Sequence, residues 1–172
     1  MLLSELSLLL AADRRANVGY PKSRFVLSAF RATQYARSKR GPLGRLLYLV
    51  TAAAYRLACE WILGVELPSG TRVGAGLRIR HGVGIVVNPH AVLGQNVLLR
   101  QNVTIGNRRT SDDCPTIGDD VEIGAGAVVI GAISIGDRAR IGAGAIVTDD
   151  VPPGALAVAP SAVVLPRKEP AL

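Results

Sequence analysis

Aromatic residues are scarce in this chain. One Trp, two Phe and four Tyr make up 4% of 172 residues, too few rings to fill a sandwich or a doubly wound sheet packed on large side chains. Cysteine is equally sparse. Cys59 and Cys114 stand in dissimilar segments and form no spaced framework, so no disulfide is expected and a reducing, cytoplasmic setting is favoured. Histidine is limited to His81 and His90. A catalytic zinc takes three protein ligands, and no Cys or acidic set completes a triad here, so no metal is assigned. No secretory leader is expected, because the opening MLLSELSLLLAADRR places its acidic residue first and its basic residues after the apolar run; it reads as a helix. Leu43 to Leu63 has membrane-like length but carries Arg45, Arg56 and Glu60, which points to a buried or interfacial amphipathic helix, not a spanning one.

What is abundant is small and aliphatic: 49% of residues are hydrophobic and 19 are Gly. From Ile117 to Val147 an aliphatic residue recurs at every sixth position (Ile117, Ile123, Val129, Ile135, Ile141, Val147), and Gly follows four of them, at 118, 124, 136 and 142. A period of six suits neither an α-helix nor an ordinary sheet. It matches one flat side of a triangular coil, with one inward side chain per side and a small residue at the corner. The phase extends back through Ile105, Leu99, Leu93 and Val87, whereas Val73, Ile79 and Ile85 are offset by two, which places an irregularity near Val87 to Pro89. Residues of about 66 to 165 therefore read as a β-helix of roughly five coils.

Before it, Leu6 to Ala16 and Phe25 to Ala36 show helical spacing, with Ser4 a candidate cap. Lys39-Arg40-Gly41-Pro42 reads as a break, and Leu43 to Trp61 as a third helix ended by Gly64. The expected organisation is a helical region over 1–64, a β-helix over 65–165 ending its last full coil at Val151-Pro152-Pro153-Gly154, and a tail over 166–172. Charge divides along the same line. Residues 1–80 hold 13 Lys or Arg against 4 Asp or Glu, and residues 81–172 hold 7 against 9. So basic a first half suits an anionic membrane surface, an acidic saccharide or a lipid diphosphate carrier, and equally a solvated helical face. Nucleic acid is disfavoured, since no stacking set of aromatics is interleaved with the basic residues.

Two places offer chemistry. His81, in IRHGVGIVV, lies two residues after an inward Ile and beside Gly82, where an imidazole can leave the coil and take a proton from a hydroxyl near neutral pH. A lone His on a solenoid is also a common surface residue; His90, beside Pro89 at a corner, is the weaker candidate. Asn107 to Cys114 contains no inward aliphatic residue, yet Ile105 and Ile117 stay in phase, so this polar stretch either replaces one hexad or bulges from a corner. Loops on rigid scaffolds are where function concentrates.

The segments HGVGIVVNPHAVLGQNV, VTIGNR, CPTIGDDVEIGAGAVVIGAISIGDRARIGAGAIV and DVPPGALAV resemble the serine acetyltransferase branch of the left-handed β-helix (hexapeptide-repeat) acyltransferases. Within that branch they are most similar to acetyltransferases of capsule, exopolysaccharide and colanic acid biosynthesis. The likeness covers about 100 residues and is weaker over the helices, at Asp13-Arg14-Arg15-Ala16-Asn17 and Phe30-Arg31. It implies a mainly β fold, a left-handed parallel β-helix with an N-terminal α-helical cap, assembled as a homotrimer with acetyl-CoA between neighbouring β-helices and no metal. By resemblance His81 matches the base, Ala125 and Ala143 meet the pantetheine arm through their backbone, and Arg140 lies near the nucleotide. Small residues at such corners make physical sense for a long thin ligand, although corners need small residues in any case.

This chain departs from serine acetyltransferases at four matched positions. Arg80 replaces the Asp before the base, Cys114 a second His, Asp113 the Arg before it, and Pro89 a Glu. Losing them argues against serine, and the Cys-Pro and Gly-Asn-Arg shared with the polysaccharide relatives imply a sugar hydroxyl, free, nucleotide-bound or lipid-linked, as acceptor. Arg80, Arg108, Arg109 and Cys114 then border the acceptor, Asn107 or a backbone N–H is an oxyanion donor, and Asp13, carried over by the cap, is a candidate on that side and for orienting His81. Serine O-acetyl transfer in cysteine synthesis is the alternative, and a non-catalytic scaffold the second. The expected site is cytoplasmic, at or near the inner membrane face.

Overall fold

The computed structural model describes residues 1–163; the expected tail lies outside them. Three helices come first: α1 (Leu3–Ala16), α2 (Pro21–Arg37) and α3 (Gly41–Tyr55), the last continuing as a π-helical turn over Arg56–Ile62. Ser4 does not cap α1. Leu2 holds the extended cap position, and its N–H donates to the Glu5 carboxylate at 3.2 Å. The break before α3 is also shorter than expected, because Gly41 and Pro42 already belong to its first turn, where a proline has no N–H to lose. Gly64, at φ +66°, ends the helical run.

Among the described residues, fourteen short parallel strands then wind into a solenoid of about five coils with three faces. Face one stacks β1 (Val65–Glu66), β4 (Ile85–Val87), β7 (Thr104–Gly106), β10 (Val128–Ile130) and β13 (Ile146–Val147). Face two stacks β2 (Arg72–Val73), β5 (Val92–Leu93), β8 (Thr116–Ile117) and β11 (Ser134–Ile135); face three stacks β3 (Arg78–Ile79), β6 (Leu98–Leu99), β9 (Glu122–Ile123), β12 (Arg140–Ile141) and β14 (Leu156–Ala157). The aliphatic hexads form the interior: Val87, Ile105, Val129 and Val147 lie in register on face one, and Ile79, Leu99, Ile123 and Ile141 on face three, all buried. Gly after an inward residue leaves no room for more. A Cβ on Gly124 would come within 2.5 Å of the Ala143 nitrogen in the next coil.

Register explains the irregular phase and moves it. Ile79 pairs with Leu99 twenty residues on, whereas Ile123 pairs with Ile141 after eighteen. Arg80 N–H bonds Leu99 O as Arg100 N–H bonds Ile123 O, and Asn102 N–H bonds Val83 O as Gly126 N–H bonds Gln101 O. Arg80 is thus equivalent to Arg100, and Val83 to Gln101, leaving His81 and Gly82 as the two extra residues. The irregularity sits at this corner and not near Val87 to Pro89; Ile85 is the buried first residue of β4, paired with Val65, and its six-residue spacing from Ile79 is incidental. The stretch Asn107 to Cys114 bulges from the corner between β7 and β8, with the register of Leu93 and Ile117 intact. The last coil runs past Pro152-Pro153-Gly154, since Val151 bridges Ile135 and β14 pairs with β12.

The helices close the open end of the first coil. β2 and β3 are edge strands, and their free backbone groups meet side chains from α1 and α2. Buried Asp13 accepts from Gly76 N–H (2.8 Å) and Leu77 N–H (3.2 Å), and its other oxygen pairs with Arg31 Nε at 2.8 Å. Arg31 donates to Val73 O and Gly74 O. Asn17 donates to Leu77 O and accepts from Ile79 N–H, Ser23 donates to Ile79 O, and Gln34 to Thr71 O. Removing one partner of so buried a pair strands the other charge, so Asp13→Ala is expected to lower unfolding free energy by about 3–5 kcal/mol, measured by urea denaturation. Gly124→Ala, which pushes a methyl against the next coil, is expected to cost about 1–3 kcal/mol in the same assay.

Candidate active site

His81 is exposed on the corner joining face three to face one. Its backbone is left-handed at φ +55°, and its carbonyl accepts from Val83 N–H at 2.6 Å, so a tight turn carries the imidazole outward. Asn96, Asn102, Asp120 and Arg138 take the same left-handed backbone at other corners, so the conformation belongs to the coil and not to His81 alone. Tyr20, between α1 and α2, meets the imidazole edge-on with ring centroids 6.5 Å apart. The Arg80 guanidinium lies over the Tyr20 ring, 3.9 Å from its centroid, and donates to Ala16 O and Asn17 Oδ1. Arg80 is therefore engaged with the end of α1. Asp13 likewise has both oxygens occupied by Arg31 and the first-coil backbone, which leaves neither free to orient His81. Both expectations came from the resemblance; the structure pairs buried Asp13 with Arg31 in the cap and holds Arg80 on the carbonyl end of α1 and the Tyr20 ring.

Below His81 the same corner column continues through Gln101, Ala125 and Ala143, linked by the bonds from Asn102, Gly126 and Gly144 to the carbonyl one coil up. Successive coils stand about 4.8 Å apart, so Ala125 and Ala143 lie two and three steps from the His81 corner. Gly126 and Gly144 take φ of +68° each, a conformation in which a side chain is strained. Nothing stands within 4 Å of where their Cβ atoms would be, so the ridge is bare. Beside it runs a groove on face three that Leu98, Arg100, Glu122, Ala125, Arg140 and Ala143 help to line. Arg140 is exposed and only 3.8 Å from Glu122, a loose pair that water screens. The expected Ala125, Ala143 and Arg140 thus share one groove. Arg100 and Tyr20 were not legible in the sequence, since neither belongs to a motif.

The loop Asn107 to Cys114 sits on the other corner of face one. Its shape rests on Asp113, whose carboxylate accepts from Arg108 N–H and Arg109 N–H at 2.8 Å each. Desolvation works against the charged form, but these backbone bonds, one from Thr110 and the Arg109 charge outweigh it and hold the carboxyl below its ordinary value. The Arg108 and Arg109 side chains are left exposed. Asn107 accepts from the Asn88 amide, and His90 Nδ1 stands 3.7 Å from Asp112, so the loop leans on the corner of the coil above. Cys114 donates weakly to Ser111 O; burial first, then Asp113 and Asp112, push its thiol up, which opposes a thiolate nucleophile. Within one chain this loop and His81 occupy opposite ends of face one, on the order of 15 Å apart at about 3.3 Å per residue.

Residues 114–149 match the family model described as bacterial transferase hexapeptide (six repeats). No protein of curated function matches the chain. Among solved structures, soybean serine acetyltransferase is 33% identical with a TM-score of 0.70 over 94% of this chain and 69% of its own. The Brucella abortus serine acetyltransferase is 25% identical, with a TM-score of 0.79 over 91% of this chain and 67% of its own. Isoform 3 from Entamoeba histolytica, solved with cysteine, is 26% identical, with a TM-score of 0.75 over 96% of this chain; the chain spans 62% of that enzyme's length. These structural neighbours are serine acetyltransferases and not the polysaccharide O-acetyltransferases to which the motifs pointed. Repeat, topology and relatives agree on a left-handed parallel β-helix behind N-terminal helices, and the chain belongs to the hexapeptide-repeat acyltransferase family.

Proposed function

We propose that this chain transfers an acetyl group from acetyl-CoA to a hydroxyl oxygen, with His81 as general base. The observation that carries the reading is the corner column, in which an outward imidazole on a two-residue insertion stands at the head of a bare Ala-Gly ridge. A long thin thioester fits that ridge, with its pantetheine arm along Ala125 and Ala143 and its phosphates toward Arg140 and Arg100. His81 takes the hydroxyl proton as oxygen bonds to the acetyl carbon; the carbon–sulfur bond then breaks and the imidazole returns the proton to sulfur. Tyr20, braced by Arg80, positions the ring. Asn107 or a corner N–H serves as oxyanion donor. Because His81 and the Asn107 to Cys114 loop lie at opposite ends of one face, the reading calls for a homotrimer in which one copy's loop meets its neighbour's His81.

For the acceptor, the comparisons support L-serine better than the sugar expected from the sequence, since the neighbours named above are serine acetyltransferases. A sugar hydroxyl is the second reading, and a specific observation favours it. Gripping an amino acid needs carboxylates for its ammonium and cations for its carboxylate, and the matched positions hold Arg80, Pro89, Asp113 and Cys114.

His81→Ala is expected to lower kcat about 10²- to 10⁴-fold without changing the trimer seen by sedimentation; near-normal turnover would remove His81 from the role. Ala143→Leu puts bulk on an exposed stretch of ridge and is expected to raise the KM for acetyl-CoA about tenfold, about 1.4 kcal/mol, with kcat and melting temperature little changed. Thiol release from acetyl-CoA with L-serine beside a panel of sugars and carrier-linked oligosaccharides assigns the acceptor; turnover with serine alone ends the carbohydrate reading.

A further inference from the structure

The third helix turns an apolar stripe away from the protein. Gly44, Tyr55 and Cys59 point inward. On the far side Leu43, Leu46, Val50, Leu57 and Trp61 are exposed at 79, 58, 61, 54 and 77%. Their spacing of three, four, seven and four residues keeps them on one side of the rod, and Leu47, Ala53 and Ala54 fill the same stripe. The π-helical turn at Arg56–Ile62 extends this pattern by tucking Cys59 under while Leu57, Trp61 and Ile62 stay outside. So large an apolar face, left bare on a folded chain, marks a contact.

Charge identifies what it contacts. Lys39 and Arg40 are exposed just before the helix, and Arg45 and Arg56, eleven residues apart and so on one flank of the stripe, are exposed along it. Glu60 is the only acidic residue of the helix, and it pairs with Arg56 at 3.3 Å. The wider region, residues 1–80, carries a balance of +9. Two copies meeting through this face would bring these cations together, whereas an anionic bilayer would neutralise them. Among the described residues no helix is long and apolar enough to cross a membrane. The arrangement is that of a helix lying in the interface plane: leucines and a tryptophan on one side, long arginines on the flank able to reach headgroup phosphates.

We propose that α3 and its π-helical extension form a docking surface for an anionic lipid bilayer, with Leu43, Leu46, Val50, Leu57 and Trp61 entering the headgroup boundary. The proposal stands on the helix alone and is read without turnover, so its failure and that of the acetyl-transfer reading are separate events. Trp61 is the chain's one tryptophan and reports directly on the face. Added to the full chain, vesicles of phosphatidylcholine containing phosphatidylglycerol are expected to shift Trp61 emission to the blue and to carry the protein down in sedimentation. Pure phosphatidylcholine vesicles do so at least tenfold less, and salt weakens the anionic case. The double variant L46E/V50E, at two exposed positions, is expected to lose both signals while keeping its circular dichroism; if it does not fold, K39E/R40E, outside the helix, is expected to weaken binding to the anionic vesicles alone. Absence of both signals with the wild-type chain, or equal binding to neutral vesicles, overturns the proposal. So does a Trp61 emission that is already blue-shifted without lipid and reverts on dilution, which would give the face to a second copy of the chain.

Discussion

A solenoid has an end, and the unpaired backbone of that end is the constraint on which this molecule depends. β2 and β3 begin their stacks with no coil above them, and each buried amide or carbonyl left without a partner costs on the order of 1–3 kcal/mol. Five side chains answer for them: Asp13, Ser23, Arg31 and Gln34 from the first two helices and Asn17 at the C-terminal cap of α1. The helical region is therefore the lid of the stack, anchored through buried polar groups as well as through Val26, Leu27 and Phe30 in the common core. The same anchoring brings Tyr20 and the end of α1 against Arg80 and His81, so the corner proposed for proton transfer is shaped by the fit of lid to coil.

Much of the scaffold was legible because one-dimensional repetition writes its core into the sequence. Every inward residue named from the hexads between Val87 and Val147 is buried at the expected face. The lid was legible as helices but not as a polar clamp, since Asp13 and Arg31 are ordinary charged residues until the fold brings them within 2.8 Å. Periodicity also misled once. Ile85 follows Ile79 by six and looks like a hexad, yet it opens β4 two residues before the inward Val87; the interruption lies between them, at His81 and Gly82. Only strand register separates the two accounts.

The site was legible in part for the same reason. Ala125 and Ala143 stand on the repeat, and the repeat puts them in one column, with Arg140 in the groove beside it. Residues off the repeat followed different rules. Arg80 is drawn to the carbonyl end of α1, where a cation is favoured, and Asp113 folds the loop back onto its own N–H groups. The likeness to serine acetyltransferases is a likeness of frame, and the frame is what a structural comparison weighs.

His81 and Gly82 are an insertion that leaves the hydrogen-bond ladder of the coils unbroken. Arg80 and Val83 on either side keep the hydrogen bonds of an eighteen-residue turn, so the wall of the prism is the same with or without them. On the proposed reading, the reactive group is then detachable from the ladder that holds the wall together: removing two residues at one edge would take away the imidazole and leave the strand pairing of the coils in place.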